Sequence, residues 1–302
     1  MTLEQLRIFV AVAEREHVTH AAEALRLTQS AVSAAISALE RRYGVALFHR
    51  VGRRIELSDE GRVFLGEARA VLARAGEAEL ALSEMSGLMR GMLRVRASQT
   101  IASYWLPSRL VAFRHAHPQI EIKLTVGNTA QVARSVIEGE VELGFVEGRI
   151  DDPALEQSVV DRDRLAIVVA PGHAWAAKKR LLPQDLVEGE WVLRETGSGT
   201  RSEFEAALAG DGLPADRLNV VMELPTNEAV CAAVEAGTGV TAISEMVVES
   251  GLAAGTLVAV KFKLPDRLFH TLRHRERYHS RAARAFLAQV GGDSLARDAA
   301  TA

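Results

Sequence analysis

Three stretches of the chain combine small hydroxyl residues with the expected start of a helix, and that combination holds anions. RASQTIAS (96–103), RETGSGTRSEF (194–204) and ELPTNEAV (223–230) each close an expected strand, present Ser or Thr, and open an expected helix. The first N–H groups of a helix have no partner within it, and the helix dipole favours negative charge there. Several such ends converging on one cleft hold an anion without any net positive charge. For Ser98, Thr196 and Thr226 taken singly, plain helix capping is the simpler reading. GSGTR carries more, because Gly197 and Gly199 let backbone N–H groups approach a ligand and Arg201 adds a fixed cation. It is not a nucleotide P-loop, since no Gly-Lys-Ser/Thr follows.

A second constellation lies in TQSAVSAAISALERRYG (28–44). As a helix with Thr28 at its N-cap and Gly44 just past its end, this segment sorts into two faces. Val32, Ile36 and Leu39 form an apolar stripe, and Ser30, Ser33, Ala34, Ser37 and Arg41 lie on the other face. Solvated helix faces usually carry Glu, Lys and Arg, which are better helix formers than Ser. Short side chains there predict a close approach, and a DNA major groove admits a helix only where no bulky residue holds it off. The chain is mildly acidic, net −3, but residues 1–57 hold eight Arg against six Glu, so this segment is basic. Five of those Arg, at 41, 42, 50, 53 and 54, cluster beside His49. Arg at such a patch contributes affinity for a phosphate backbone without sequence information.

The elements that must position these groups follow from periodicity. Thr2 and Gln5 make a capping-box pattern ahead of a helix ending near Glu16, and a second helix runs from about Val18 to Arg26. Followed closely by the Thr28 helix, they form a helix-turn-helix. VALFHRVGRRIEL then reads as two short strands about a turn at Val51-Gly52-Arg53, a wing. Ser58 or Asp59 caps a long helix reaching about Met89. Along it Phe64, Ala68, Val71, Ala75, Ala78, Leu82, Met85 and Met89 step by 4, 3, 4, 3, 4, 3, 4, the repeat of a helix that buries a seam against another helix. From Leu93 strands are expected at 93–97, 120–126, 141–146, 164–170, 190–195 and 218–224, with helices between them. Such alternation predicts an α/β domain with largely parallel sheets.

The remaining chemistry is sparse. A single Cys231 excludes an intrachain disulfide and reads as core filler. There is no Gly-x-Ser-x-Gly elbow and no paired metal-ligand motif, and His173, His270, His274 and His279 are scattered. No catalytic residue, metal or cofactor is expected, and the chain is not read as an enzyme. With no signal-peptide pattern and no apolar run of membrane-spanning length, a cytoplasmic protein is expected. A solute-binding transport protein would share the C-terminal fold, but the first ninety residues argue against it.

The run AAEALRLTQSAVSAAISALERRYGVALFHRVGRRIELSDEG resembles the N-terminal signature of LysR-type transcriptional regulators. The resemblance implies a winged helix-turn-helix over 1–58, a dimerising linker helix over 59–90, and a periplasmic-binding-protein-like effector domain over 91–295. That domain would form lobe I (about 91–162 and 267–295) and lobe II (about 163–266), with crossings near Asp163 and Pro265. Carried over by position, Gln29, Ser30, Ser33, Ala34 and Ser37 would read DNA, with Arg53 and Arg54 in the wing. The sequence departs from the family at Ala34, where many members have Arg or Lys. An effector would lie between the lobes against Ser98, Gln99, Thr100, Glu147, Ser198, Thr200, Arg201 and Thr226. The Gly-Ser-Gly-Thr-Arg loop is similar to that of members regulating sulfur or carbon assimilation. The implied partners are a double-stranded DNA operator, a small anionic effector and further copies of the chain, as homodimer or homotetramer. RNA polymerase is consistent with the same role.

Overall fold

The computed structural model describes residues 1–51, 54–85 and 91–301. The chain divides into two compact units, Met1–Leu88 with Glu138–Glu140, and Met89–Ile137 with Val141–Ala302.

In the first unit α1 (Leu3–Arg15), α2 (Val18–Leu25) and α3 (Gln29–Tyr43) are followed by β1 (Phe48–Val51), β2 (Arg54–Leu57) and α4 (Asp59–Met85). Local chemistry sets the boundaries. Thr2 and Gln5 bond reciprocally at 3.0 and 3.2 Å, a capping box that starts α1. Thr28 Oγ1 accepts from Ala31 N at 3.2 Å to start α3, and Gly44, at φ 68°, ends it in the left-handed region that glycine tolerates. Ser58, rather than Asp59, caps α4: its hydroxyl accepts from Gly61 N and donates to Ala46 O, both at 2.8 Å. Phe9, Val32, Leu39 and Leu47 form the centre of a single core, with Phe64 packed 4.8 Å from Phe9 between ring centroids. Burying each such side chain contributes about 1.5–3 kcal/mol.

That core takes up the first part of the expected seam on α4. Phe64 and Ala68 pack inside their own unit, because α1 covers the first turns of α4. Further along, Val71 and Leu82 are exposed, at 42% and 69%. The covered and uncovered parts of the repeat therefore do different things, and Met89 lies outside the described residues.

The second unit begins with β3 (Gly91–Ser98), a π-helical turn (Ile101–Trp105), α5 (Leu106–Ala116), β4 (Ile120–Gly127), α6 (Thr129–Glu138) and β5 (Leu143–Glu147). It continues with β6 (Leu155–Val169), α7 (Pro183–Glu188), β7 (Glu190–Arg194), α8 (Gly199–Gly210), β8 (Asn219–Leu224) and α9 (Asn227–Glu235). It closes with β9 (Val240–Ser244), α10 (Glu245–Ala254), β10 (Val258–Val260), β11 (Asp266–His274) and α11 (Arg281–Thr301). Among the described residues one sheet runs in the order β4-β3-β5-β11-β6-β9-β7-β8, with β10 beside β6.

The expectation of largely parallel sheets needs correction. Parallel pairs occur within each lobe, β3 with β4 and β5, and β7 with β8 and β9. The two strands at the crossing, β6 and β11, run antiparallel to each other and to their other neighbours. They return the chain between lobes without a crossover helix, which only a parallel connection requires. Lobe I is filled by Trp105, Phe113, Phe145, Phe269 and Phe286, and lobe II by Trp175, Trp191, Phe204 and Leu208. The Trp191 indole donates to Leu186 O at 2.7 Å, so its burial leaves no polar group unpaired. Truncating it to Ala would cost roughly 3–5 kcal/mol.

The crossing itself carries a buried ion pair. Arg267 and Asp163 are directly opposite in the β11–β6 ladder, and both side chains are 2% exposed. Arg267 reaches Asp163 Oδ2 with Nε at 2.7 Å and Nη2 at 2.6 Å, while Ser244 donates to Oδ1 at 3.0 Å.

Candidate functional site

On α3 the expected sorting of faces is visible. Val32, Ile36 and Leu39 are buried, whereas Gln29, Ser30, Ser33, Ala34, Ser37 and Arg41 are exposed. Thr28 and Ser30 bond through their hydroxyls at 3.0 Å, and Arg41 folds back on Ser37 O at 3.2 Å. Glu40 is held at the wing: its carboxylate accepts from Leu47 N at 2.8 Å and Phe48 N at 3.3 Å, anchoring the start of the hairpin. Of the wing cations, Arg53 lies outside the described residues. Arg54 opens β2, and its side chain is likewise outside them.

In the second unit the strand-to-helix junctions meet where lobe I faces lobe II. Ser98 ends β3, Gln99 and Thr100 lead into the π turn, and Glu147 ends β5. From lobe II come Ser198, the N-cap of α8, Thr200 in its first turn, and Thr226, the N-cap of α9. The lobes touch directly. Gln99 Oε1 accepts from Asn227 N at 2.7 Å, Asn227 Nδ2 donates to Thr100 Oγ1 at 3.1 Å, and Ala130 N donates to Gly197 O at 3.3 Å. Gly199 makes a close approach possible: a β-carbon there would lie 2.5 Å from Thr129 Oγ1 and 2.8 Å from Glu147 Oε2.

The individual residues divide sharply. Thr226 caps α9 by accepting from Ala229 N at 3.1 Å, the simpler reading of that junction. Thr200 Oγ1 accepts from Arg267 Nη1 at 3.0 Å and so ties α8 to the crossing strands. Arg201 is directed away from lobe I. Its Nε bonds Glu205 at 2.7 Å, and its Nη1 bonds Arg194 O and Glu223, all within lobe II. Its neighbours are two carboxylates on α8 and β8, which hold its pKa above the ordinary value against the opposing effect of burial. The negative charge nearest the start of α8 is supplied by the protein itself, by Glu147. Burial pushes the Glu203 carboxyl above the usual carboxylate range, with Arg267 opposing and Glu147 reinforcing.

Two buried atoms in this region, Ser98 Oγ and Glu147 Oε1, have no hydrogen-bond partner. An unpaired buried polar atom costs about 1–3 kcal/mol. Sequence reasoning missed Asn227, Arg194 and Thr129. Asn227 is fully buried, with Oδ1 accepting from Arg194 Nη1 at 2.6 Å. Its one sequence signal was an Asn immediately after a capping Thr, a position ordinarily left to solvent. Cys231 is half-buried on α9, and burial, reinforced by Glu235 and Glu228, pushes its thiol up to about 11. It is a thiol, not a thiolate, at neutral pH, and a poor nucleophile. Among the described residues no helix is long and apolar enough to cross a membrane.

Residues 3–62 match the family described as bacterial regulatory helix-turn-helix protein, lysR family, and residues 86–293 match the LysR substrate binding domain. The chain is 39% identical over 290 residues to the uncharacterized HTH-type transcriptional regulator YeiE of Escherichia coli K12, covering 95% of this chain and 96% of that one. Its fold is similar to that of full-length CbnR complexed with its target DNA, with TM-score 0.68 and 22% identity, over 98% of this chain and 99% of that one. The regulatory domain of Synechocystis CcmR in complex with 2-PG aligns with TM-score 0.62 and 24% identity, over 68% of this chain and 98% of that one. An exposed, small-residue helix in a winged helix-turn-helix, joined to a two-lobed α/β domain, thus coincides with both family matches: the chain is a member of the LysR family of DNA-binding transcriptional regulators.

Proposed function

We propose that this regulator reads its operator with α3 and changes its action when a small oxyanion binds between the lobes of the second unit. The observation that carries the effector reading is the pair of partnerless buried atoms, Ser98 Oγ and Glu147 Oε1, in a wall where two lobes meet through helix N-termini. The oxyanion is placed at the start of α9, where Asn227 N–H and Thr100 converge, and not at the start of α8, whose Arg201 is taken up by Glu205 and Glu223. Ser98 Oγ donates to the ligand. Glu147 Oε1 accepts from a hydroxyl or protonated group on it, which disfavours ligands that carry charge alone. The printed description of CcmR with 2-PG supports a small ligand in a related domain.

Gln29, Ser30, Ser33, Ala34 and Ser37 lie along the groove in this reading, with Arg53 and Arg54 on phosphates. The uncovered stripe of α4, at Val71 and Leu82, pairs with a second copy of the chain, which sets two reading helices at a fixed spacing. Two such dimers make the expected tetramer, and contact with RNA polymerase belongs to the same role. The site of action is the cytoplasm, where the operator is. Operator binding titrated against a panel of small hydroxy acids and phosphate esters tests the reading. A ligand that alters the footprint of the wild-type protein but not of Ser98→Ala supports it, and one that acts equally on both refutes the placement.

A further inference from the structure

Gln99 makes the closest polar contact between the lobes, and it does so in the place assigned above to the ligand. Its carboxamide oxygen lies 2.7 Å from Asn227 N, the first N–H of α9, and its Nε2 lies 2.5 Å from Glu228 Oε2. The side chain comes from lobe I, 128 residues away in sequence. Tyr104, also of lobe I, lies close enough to the same Glu228 that burial first, and then that carboxylate, raise its phenol above the ordinary value. A carboxamide oxygen has the shape of a carboxylate oxygen without its charge, so it satisfies the helix N–H but gains little from the dipole.

We propose that Gln99 is an internal stand-in for the effector, holding the start of α9 with its own oxygen until an oxyanion displaces it. The proposal rests on the reading of the cleft as the effector site and adds a competitor to it. An oxyanion at Asn227 N–H gains the charge-assisted bond that Gln99 lacks. Glu228, which loses Gln99 Nε2, then accepts from a hydroxyl or protonated oxygen of the ligand, which dihydrogen phosphate offers and a Gln99→Glu carboxylate does not. Because stand-in and ligand compete for one N–H, the apparent affinity is reduced by the fraction of molecules in which Gln99 occupies it. Gln99 thereby sets the concentration at which the regulator responds.

The sign of one measurement separates this from a role as an ordinary ligand contact. In the full-length protein with Cys231→Ala, spin labels on cysteines replacing Glu121 in lobe I and Asp216 in lobe II, diluted with unlabelled chains, report the separation of the lobes. Without added ligand, Gln99→Ala should lengthen and broaden that distance. Gln99→Glu, which keeps the size but sets a carboxylate against Glu228, should do the same. Inorganic phosphate, titrated by calorimetry, should bind Gln99→Ala about 5- to 50-fold more tightly than wild type, the range for removing one competing pair of hydrogen bonds. Unchanged distances in both variants overturn the proposal, and so does weaker phosphate binding by Gln99→Ala. Should phosphate bind neither protein, the oxyanion reading of the cleft fails, while the distances still decide whether Gln99 holds the lobes.

Discussion

The reading face of α3 and the cleft of the second unit are both built from Ser, Thr and Gln, yet they are opposites. On α3 these residues are exposed, and their hydrogen bonds stay within one turn of the same helix. In the cleft they are largely buried, and several bond partners more than sixty residues away, as Thr100 does with Asn227 and Thr200 with Arg267. A face meant for a large, pre-existing surface needs only smallness and reach. A cleft meant for a small ligand needs every unused group to be held by the protein, since an unpaired buried one is costly.

This contrast predicts a ranking of effects. Val71→Glu with Leu82→Glu should be the most damaging, giving monomers by light scattering and no measurable operator complex, because the charged stripe cannot pair. Wild type monomeric at micromolar concentration would remove the basis of that ranking. Ser33→Tyr should reduce specific operator binding by roughly 100-fold, the scale of one or two lost base contacts, while leaving binding to random DNA nearly unchanged in a shift assay. Equal loss on both DNAs would mean that the face does not read bases.

The cleft variants should be milder and should leave unliganded DNA binding intact. Ser98→Ala should weaken effector binding by about 10- to 100-fold in calorimetry, the range for a hydrogen bond to a charged group. Arg201→Ala should lower thermal stability by roughly 1–2 kcal/mol and leave effector affinity alone, since its bonds to Glu205 and Glu223 are partly exposed pairs within lobe II. A large affinity loss in that variant would return the anion to α8. The smallest effect concerns Glu203, whose carboxyl titrates above its ordinary range in the fold. The folded state then holds its proton more tightly than the unfolded chain, so stability is fully present below the unfolded pKa and is lost as pH rises through the folded one. Glu203→Gln should remove that decline, read as melting temperature between mildly acidic and neutral pH.

The difference between the regions also explains what could be read in advance. Helix boundaries at Thr2, Thr28 and Gly44 are decided within four residues, and each is visible in sequence. The stripe of Val32, Ile36 and Leu39 is a single-helix property and was equally legible. Polar content hid the first half of β6, where Glu156, Gln157, Ser158, Asp161 and Arg162 interrupt the apolar pattern although β11 pairs with it throughout. The orientation of Arg201 was hidden for another reason: the glycines beside it predicted a ligand, while Glu205 and Glu223 competed for the same guanidinium. The cleft residues Ser98, Gln99, Thr100, Glu147, Thr200 and Asn227 lie in four separate segments, and no local pattern joins them.

The Asp163–Arg267 pair has a mechanical consequence. It joins two adjacent strands at the level where the chain leaves one lobe for the other, and further bonds from Ser244 and Thr200 fasten lobe II to the same point. A buried pair resists separation, because breaking it strands a charge in a medium that solvates it poorly. The pair therefore behaves as an axle pin, and the lobes are left with a swing about it in place of a slide past one another. Substitutions far from the pin, at the mouth of the cleft, then alter how far the jaws open, whereas Asp163→Asn should change the path itself.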